Sequence, residues 1–217
     1  NIIVVFTGCG TEADNLAIHL ALQANPHVSK PHIVTSNVEH PAITQYLNAL
    51  EQENKITVTY VPVNNEGIVS AQDMIHAITS ETILVTLMLA NNESGSIQPV
   101  KEVSSYCQSK SILFHTDAAQ AVGKISIALN NDGIGDAVDM VTIVGHKFGA
   151  PKGIACLYVK PHCFTTKGNR VEPKHYMLLG GGQEGGKRAG TENVPYIVAM
   201  GVAADILMEQ QQTKPAG

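Results

Sequence analysis

The stretch Met140-Val141-Thr142-Ile143-Val144-Gly145-His146-Lys147 decides the reading of this chain. Its first five residues are apolar or β-branched, the composition of a buried strand, and one glycine then hands the chain to a histidine and a lysine. A lysine just past a buried strand is either a surface charge or an amine set in a pocket, so the neighbouring strands carry the decision. Some thirty residues earlier a second strand-like run, 111–114, opens into His115-Thr116-Asp117-Ala118-Ala119-Gln120. An amine and a carboxylate then stand at two strand ends.

The same alphabet extends in both directions. Strand-like runs at 2–6, 33–35, 56–63, 83–89, 112–115, 140–144 and 154–159 alternate with helical patterns at 12–24, 41–53, 71–78 and 100–108. This predicts an α/β fold, a mostly parallel sheet of the seven-stranded type with helices on both faces. Ligands in such sheets sit beyond the carboxyl ends of the strands. Residues 8–11, 91–95, Asp117 and Lys147 all fall there. The polar segment 165–173 reads as a loop, and a last helix follows with Val194, Ile197, Val198 and Gly201 as its expected apolar face.

Composition narrows the classes of function. With 217 residues, 44% hydrophobic and 15% charged, the chain has enough apolar material for one full core. A net charge of -5 with scattered lysines and arginines leaves no basic stripe for a nucleic acid backbone. No apolar run approaches the length of a membrane span, and no signal peptide is visible. Cys9, Cys107, Cys156 and Cys163 lack zinc-type spacing, which points to a reducing, cytoplasmic setting. The chain opens directly on a strand-like run and stops just after a helical pattern. Residues 1–217 are therefore expected to be one large domain, truncated at both ends.

Each motif has a bland reading beside its chemical one. Gly8-Cys9-Gly10-Thr11-Glu12 joins a strand to a helix for which Thr11 is the expected N-cap, with Asp14 three residues on. Free N–H groups there suit a phosphate. Gly8-x-Gly10-x-x-Ala13 also imitates a dinucleotide fingerprint, but no acid follows about twenty residues later to bind a ribose. Glu39-His40-Pro41 is either a helix start or a ring set to stack on a flat cofactor, and Asn91-Asn92-Glu93-Ser94-Gly95 is an ordinary turn whose amides gain meaning only from their neighbours. His115-x-Asp117 with His146 offers a metal triad, which would leave Lys147 and Gln120 without work. The combination favours pyridoxal 5'-phosphate: Lys147 to hold the aldehyde as a Schiff base, Asp117 to keep the pyridine nitrogen protonated, and small Ala118, Ala119 and Ala121 to admit a flat ring. The second glycine-rich segment, 180–193, is either a solvent loop or a functional one.

Taken together, FTGCGTEADNLAI, VEHPAI, ANNESG, HTDAAQAVGK, GHKFGAPKG, GGGQE and RAGTEN resemble the cysteine desulfurase and selenocysteine lyase family, class-V aminotransferase-type enzymes of fold type I. The likeness runs in order along nearly the whole chain. It implies the cofactor-binding large domain of a homodimer acting on a small amino acid and passing sulfur or selenium to an acceptor protein. Position by position, it implies phosphate binding around Gly10 and Thr11, His40 over the pyridine ring, Asn92 and Gln120 near its phenolic oxygen, and Asp117 on its nitrogen. It further implies His146 near the phosphate, Lys147 as the Schiff-base lysine, and Thr191 reaching the phosphate of the other subunit. Lys147, His40 and Asp117 are the expected catalytic groups, and no metal is expected.

Three departures stand out. Gly8 replaces a frequent serine, and Val144 stands where many desulfurases have serine and selenocysteine lyases have valine. The resemblance implies that the family's nucleophilic cysteine and carboxylate-binding arginine lie in a C-terminal part expected beyond residue 217, since none of the four cysteines here matches that nucleophile. The phrases TIVGHKF, MLANNESG and MLLGGGQE look closer to selenocysteine lyases and FTGCGTE, GAPKG and RAGTENV to bacterial desulfurases; the expectation leans to selenocysteine lyase, with cysteine desulfurase as the alternative and an inactive cofactor-binding or dimerisation fragment as the alternative of another class.

Overall fold

The computed structural model describes residues 3–130, 133–164 and 170–213. Seven strands form one sheet: β1 (Ile3–Thr7), β2 (His32–Ser36), β3 (Thr57–Val61), β4 (Thr82–Thr86), β5 (Leu113–Asp117), β6 (Met140–Val144) and β7 (Ala155–Val159). Their order is β1-β7-β6-β5-β4-β2-β3, and β7 alone runs against its neighbours. The other six therefore end at one edge, where Thr7, Ser36, Val61, Thr86, Asp117 and Val144 stand in a row. The expected mostly parallel sheet is what the chain forms.

Helices α1 (Gly10–Ala24) and α2 (Pro41–Gln52) cover one face, where Leu16, Leu20, Ile43 and Leu47 pack on Leu84, Leu113, Met140 and Leu157. On the other face α3 (Ala71–His76) and α4 (Val100–Ser109) bring Met74, Val103 and Cys107 against Val34, Val85, Phe114 and Val141. Alternate residues of each strand feed opposite cores, as a twofold side-chain period requires. A third cluster sits on Ile143 and Phe6, where Met200 and Ala203 of α5 (Val194–Thr213) meet Ala150, Ile154 and Cys156.

Some boundaries differ from the reading. The run 83–89 pairs as a strand only to Thr86, yet Leu87 N and Leu89 N still donate to the carbonyls of His115 and Asp117, while Met88 N turns aside to Glu39. The first helix begins at Gly10 with Cys9 as its N-cap, so Thr11 lies inside the first turn and caps nothing. The cap role passes to Glu12, whose carboxylate accepts from Gly8 N at 2.8 Å. On α5 only Ile197 of the expected apolar face points inward. Val194 and Val198 are 59% and 60% exposed, and Gly201 is exposed too. Of the loop expected at 165–173, residues 165–169 lie outside the described residues. Among those described, no helix is long and apolar enough to cross a membrane.

Candidate active site

A cavity of about 230 Å³ opens at the carboxyl edge of the sheet, lined by Gly10, Thr11, His40, Asn92, Asp117, Gln120, His146 and Lys147 among others. Eight of the nine expected site residues meet there. The topology explains it: β5 and β6 are parallel neighbours with Asp117 paired to Thr142, so Asp117 and the turn Gly145–Lys147 leave the sheet side by side. Helix α1 crosses β7 and β6, which aims its N-terminus at the same place.

The end of the cavity at the start of α1 is built from backbone. Ala13 N is the first amide of α1 to find an acceptor, Cys9 O, so the amides of Gly10, Thr11 and Glu12 have none within the helix. Chain contact here is close: a Cβ on Gly10 would come within 2.6 Å of Val144 Cγ2. The missing side chain at Gly10 makes room for Val144.

Asp117 is buried at the cavity floor. Its Oδ1 accepts from Ala119 N at 2.8 Å. Burial raises its pKa, while the Ala119 amide, the His40 ring and the Lys147 ammonium pull the other way. His40 caps α2 through Nδ1, which accepts from Ala42 N at 3.1 Å, and its ring lines the cavity. Lys124 Nζ donates to Gln120 Oε1 at 2.8 Å, which turns the Gln120 amide nitrogen into the free donor. His146 and Lys147 are exposed at the rim, and burial together with Lys147 and Lys152 lowers the His146 pKa. Asn92 is also exposed, held on a turn by its buried neighbour Asn91, whose Oδ1 accepts from Glu93 N and Ser94 N.

Thr191 lies outside this cavity. It lines a separate cleft with Phe6, Gly8, Glu184 and Arg188. The segment around it is stitched down: Arg188 grips Glu12 with Nε at 2.7 Å and a second nitrogen at 3.1 Å, and Glu184 accepts from Phe6 N. The 180–193 loop thereby braces the turn that would hold a phosphate.

The metal reading of His115 fails on geometry. Its ring is fully buried inside the sheet, with Nδ1 2.9 Å from Thr86 Oγ1 and Nε2 3.0 Å from Thr142 Oγ1, and burial lowers its pKa to about 3. Among the described residues a different trio, Asp139, His162 and Cys163, gathers metal-type donors. It stands at the opposite end of β6, and both Asp139 oxygens already accept, from Phe114 N and His162 Nε2.

Two acids, one lining the cavity and one buried beside it, were not read as chemical from the sequence. Glu39 is buried directly behind His40, accepts from Ser36 Oγ and Met88 N, and has its pKa raised by burial to about 8. Asp14, on the second turn of α1, lines the cavity itself. The signal for both was an acid at a position the helical or strand pattern assigns to the interior.

The donor set fits pyridoxal phosphate: amides at a helix start for the phosphate, a buried carboxylate for a ring nitrogen, a flat ring above, and an amine at the rim. The aminotransferase class-V family matches residues 2–215. A cysteine desulfurase of Nostoc sp. strain PCC 7120 is 46% identical over 203 residues, 94% of this chain and 47% of that protein. The cysteine desulfurase IscS of Clostridium botulinum is 45% identical over 206 residues, 95% of this chain and 48% of that one. Among solved structures, a NifS-like protein superposes with a TM-score of 0.83 at 34% identity, covering 95% of this chain and 53% of its own. SspA, solved in complex with cysteine, gives 0.79 at 36%, covering 93% and 55%. The chain spans about half the length of the curated relatives it matches. It belongs to the aminotransferase class-V family of pyridoxal phosphate enzymes, among the cysteine desulfurases and their NifS-like relatives.

Proposed function

We propose that this chain is the cofactor-binding part of a pyridoxal phosphate-dependent cysteine desulfurase, which takes sulfur from L-cysteine and leaves L-alanine. The observation that carries the reading is one cavity shared by Asp117, Lys147 and the first turn of α1. The relatives' names favour cysteine over the selenocysteine to which the resemblance leaned. Val144 in place of serine is the feature that keeps selenocysteine as the comparison substrate.

Bound pyridoxal phosphate supplies an electron sink for bonds around the substrate's α-carbon. The amides of Gly10 to Glu12 and the Thr11 hydroxyl would hold its phosphate, and His40 would cover its ring. Asp117, as a buried carboxylate, would hold a proton on the ring nitrogen. Lys147 Nζ would hold the cofactor at its aldehyde carbon and, once the substrate amine takes that place, accept the α proton. Asn92 and the free amide nitrogen of Gln120 would donate to the phenolic oxygen. Cys107, Cys156 and Cys163 are buried, with the Cys107 and Cys156 thiols pushed up to about 12, so none of the three is suited to receive sulfur. In the functional homodimer we place Thr191 against the partner's cofactor phosphate, with a sulfur acceptor protein as the further partner.

The test is alanine release from L-cysteine and from L-selenocysteine by the full-length protein that carries this chain, as wild type and as Lys147→Ala. The reading expects release from L-cysteine that Lys147→Ala abolishes. Release from selenocysteine alone, or undiminished release in the variant, would contradict it.

A further inference from the structure

Asp14 is 2% exposed, lines the cofactor cavity, and its Oδ1 has no hydrogen-bond partner among the described residues. A buried carboxylate oxygen left bare forfeits its hydration with nothing in return, so it demands a reason. Its nearest base is no help. His115 Nε2 lies 3.8 Å from Oδ1, but that nitrogen is 3.0 Å from Thr142 Oγ1 and the ring is neutral in its fully buried site.

The groups facing Asp14 come from every side of the cavity. Asp117 and His115 come from β5, Glu39 and His40 from the turn before α2, Cys9 from the start of α1, and His146 and Lys147 from the turn after β6. Lys147 acts on Asp117. On Asp14 act burial, which raises its pKa well above the ordinary carboxylate value, then the charge of Asp117, opposed by the Thr142 hydroxyl, with Glu39 adding to the rise. Two buried carboxyls lining one cavity do not both ionise readily, and the one without a cation beside it keeps its proton.

We propose that Asp14 is a positioning residue of the cofactor site, a second carboxyl kept as the neutral acid beside Asp117, so that the pair presents one negative charge to a ring nitrogen and one O–H donor to the cavity floor. The proposal rests on the pyridoxal phosphate reading of the cavity. Its consequence is a fixed charge at Asp117: the neighbour's retained proton leaves Asp117 as the anion of the pair.

The experiment has two arms. In the protein labelled with ¹³C-aspartate and free of cofactor, one carboxyl resonance at pH 7 should carry the shift of the neutral acid and vanish in Asp14→Asn; a wild-type spectrum with no aspartate at the neutral-acid shift overturns the proposal without any variant having to fold. In the second arm pyridoxal phosphate is titrated by its absorbance. Asp14→Asn should bind within about threefold of wild type, with the pH midpoint of the bound cofactor's absorbance unmoved. Asp14→Leu should bind at least tenfold more weakly although it leaves no bare oxygen. Wild-type binding by the leucine variant, or a midpoint displaced in the asparagine variant, overturns it. If the wild type takes up no cofactor at Lys147, the proposed function falls and the positioning role with it. If uptake is normal but Asp14 proves ionised, only this inference falls.

Discussion

Gly10 and Val144 occupy one space. A methyl added at 10 would overlap Val144 Cγ2 at 2.6 Å, so Gly10→Ala should destabilise the fold by about 1–3 kcal/mol, the usual cost of overpacking, and weaken cofactor binding. Val144→Ala in the same protein should recover most of both losses. A double-mutant cycle by urea denaturation measures it, and a coupling energy near zero would show the two positions to be independent. Glu39 makes a second prediction at this scale. Its pKa is raised from the ordinary value of 4.5 to about 8, so the folded state holds a proton that the unfolded chain gives up. Stability is then highest below the ordinary value and falls as pH rises toward 8, by on the order of 1 kcal/mol per pH unit, and levels off above. Glu39→Gln should flatten that part of the profile. An unchanged slope would mean the carboxyl is ionised in place. The sequence made Asp117, Lys147 and His40 legible because a strand end, a strand end and a helix start each announce themselves in one dimension. Asp14 and Glu39 were not, since only the third dimension shows Asp14 lining the cavity and Glu39 buried beside it on Met88 N.

Among the elements, α5 departs furthest from its reading. Residues 194–204 are apolar on every side, so no periodicity chooses a face, and Ile197, Met200 and Ala203 are the ones that the fold turns inward. Met200→Ala should therefore cost about 2–5 kcal/mol. Val198→Glu, at a position 60% exposed, should change stability by less than about 0.5 kcal/mol. Equal costs in chemical denaturation would contradict this orientation. The strands were easier to read: buried on both faces, they are continuous β-branched runs whose type, if not whose last residue, composition fixes. Their ends blurred where Leu87 and Leu89 stay apolar and keep donating to β5 while Met88 N leaves the ladder. The bidentate grip of Arg188 on Glu12 spans 176 residues of chain and has no signature in sequence at all. Arg188→Ala should cost about 1–2 kcal/mol and expose the 183–191 segment to limited proteolysis; a segment that stays resistant would show that other contacts hold it.

For the molecule as a whole, the sheet order places the ends of six parallel strands along one edge, and that edge gathers residues from positions 10 to 147 into one cavity. Fold class was legible because the alternation of runs admits few topologies. The single antiparallel strand β7 was not, as its composition matches that of its parallel neighbours. The central claim is that Lys147 is the amine that holds pyridoxal phosphate opposite Asp117. The most direct measurement is to mix the purified protein with pyridoxal phosphate, reduce with borohydride, digest, and locate the added mass. The account predicts it on the peptide carrying Lys147 and nowhere else. Label on another lysine, or none, would contradict it.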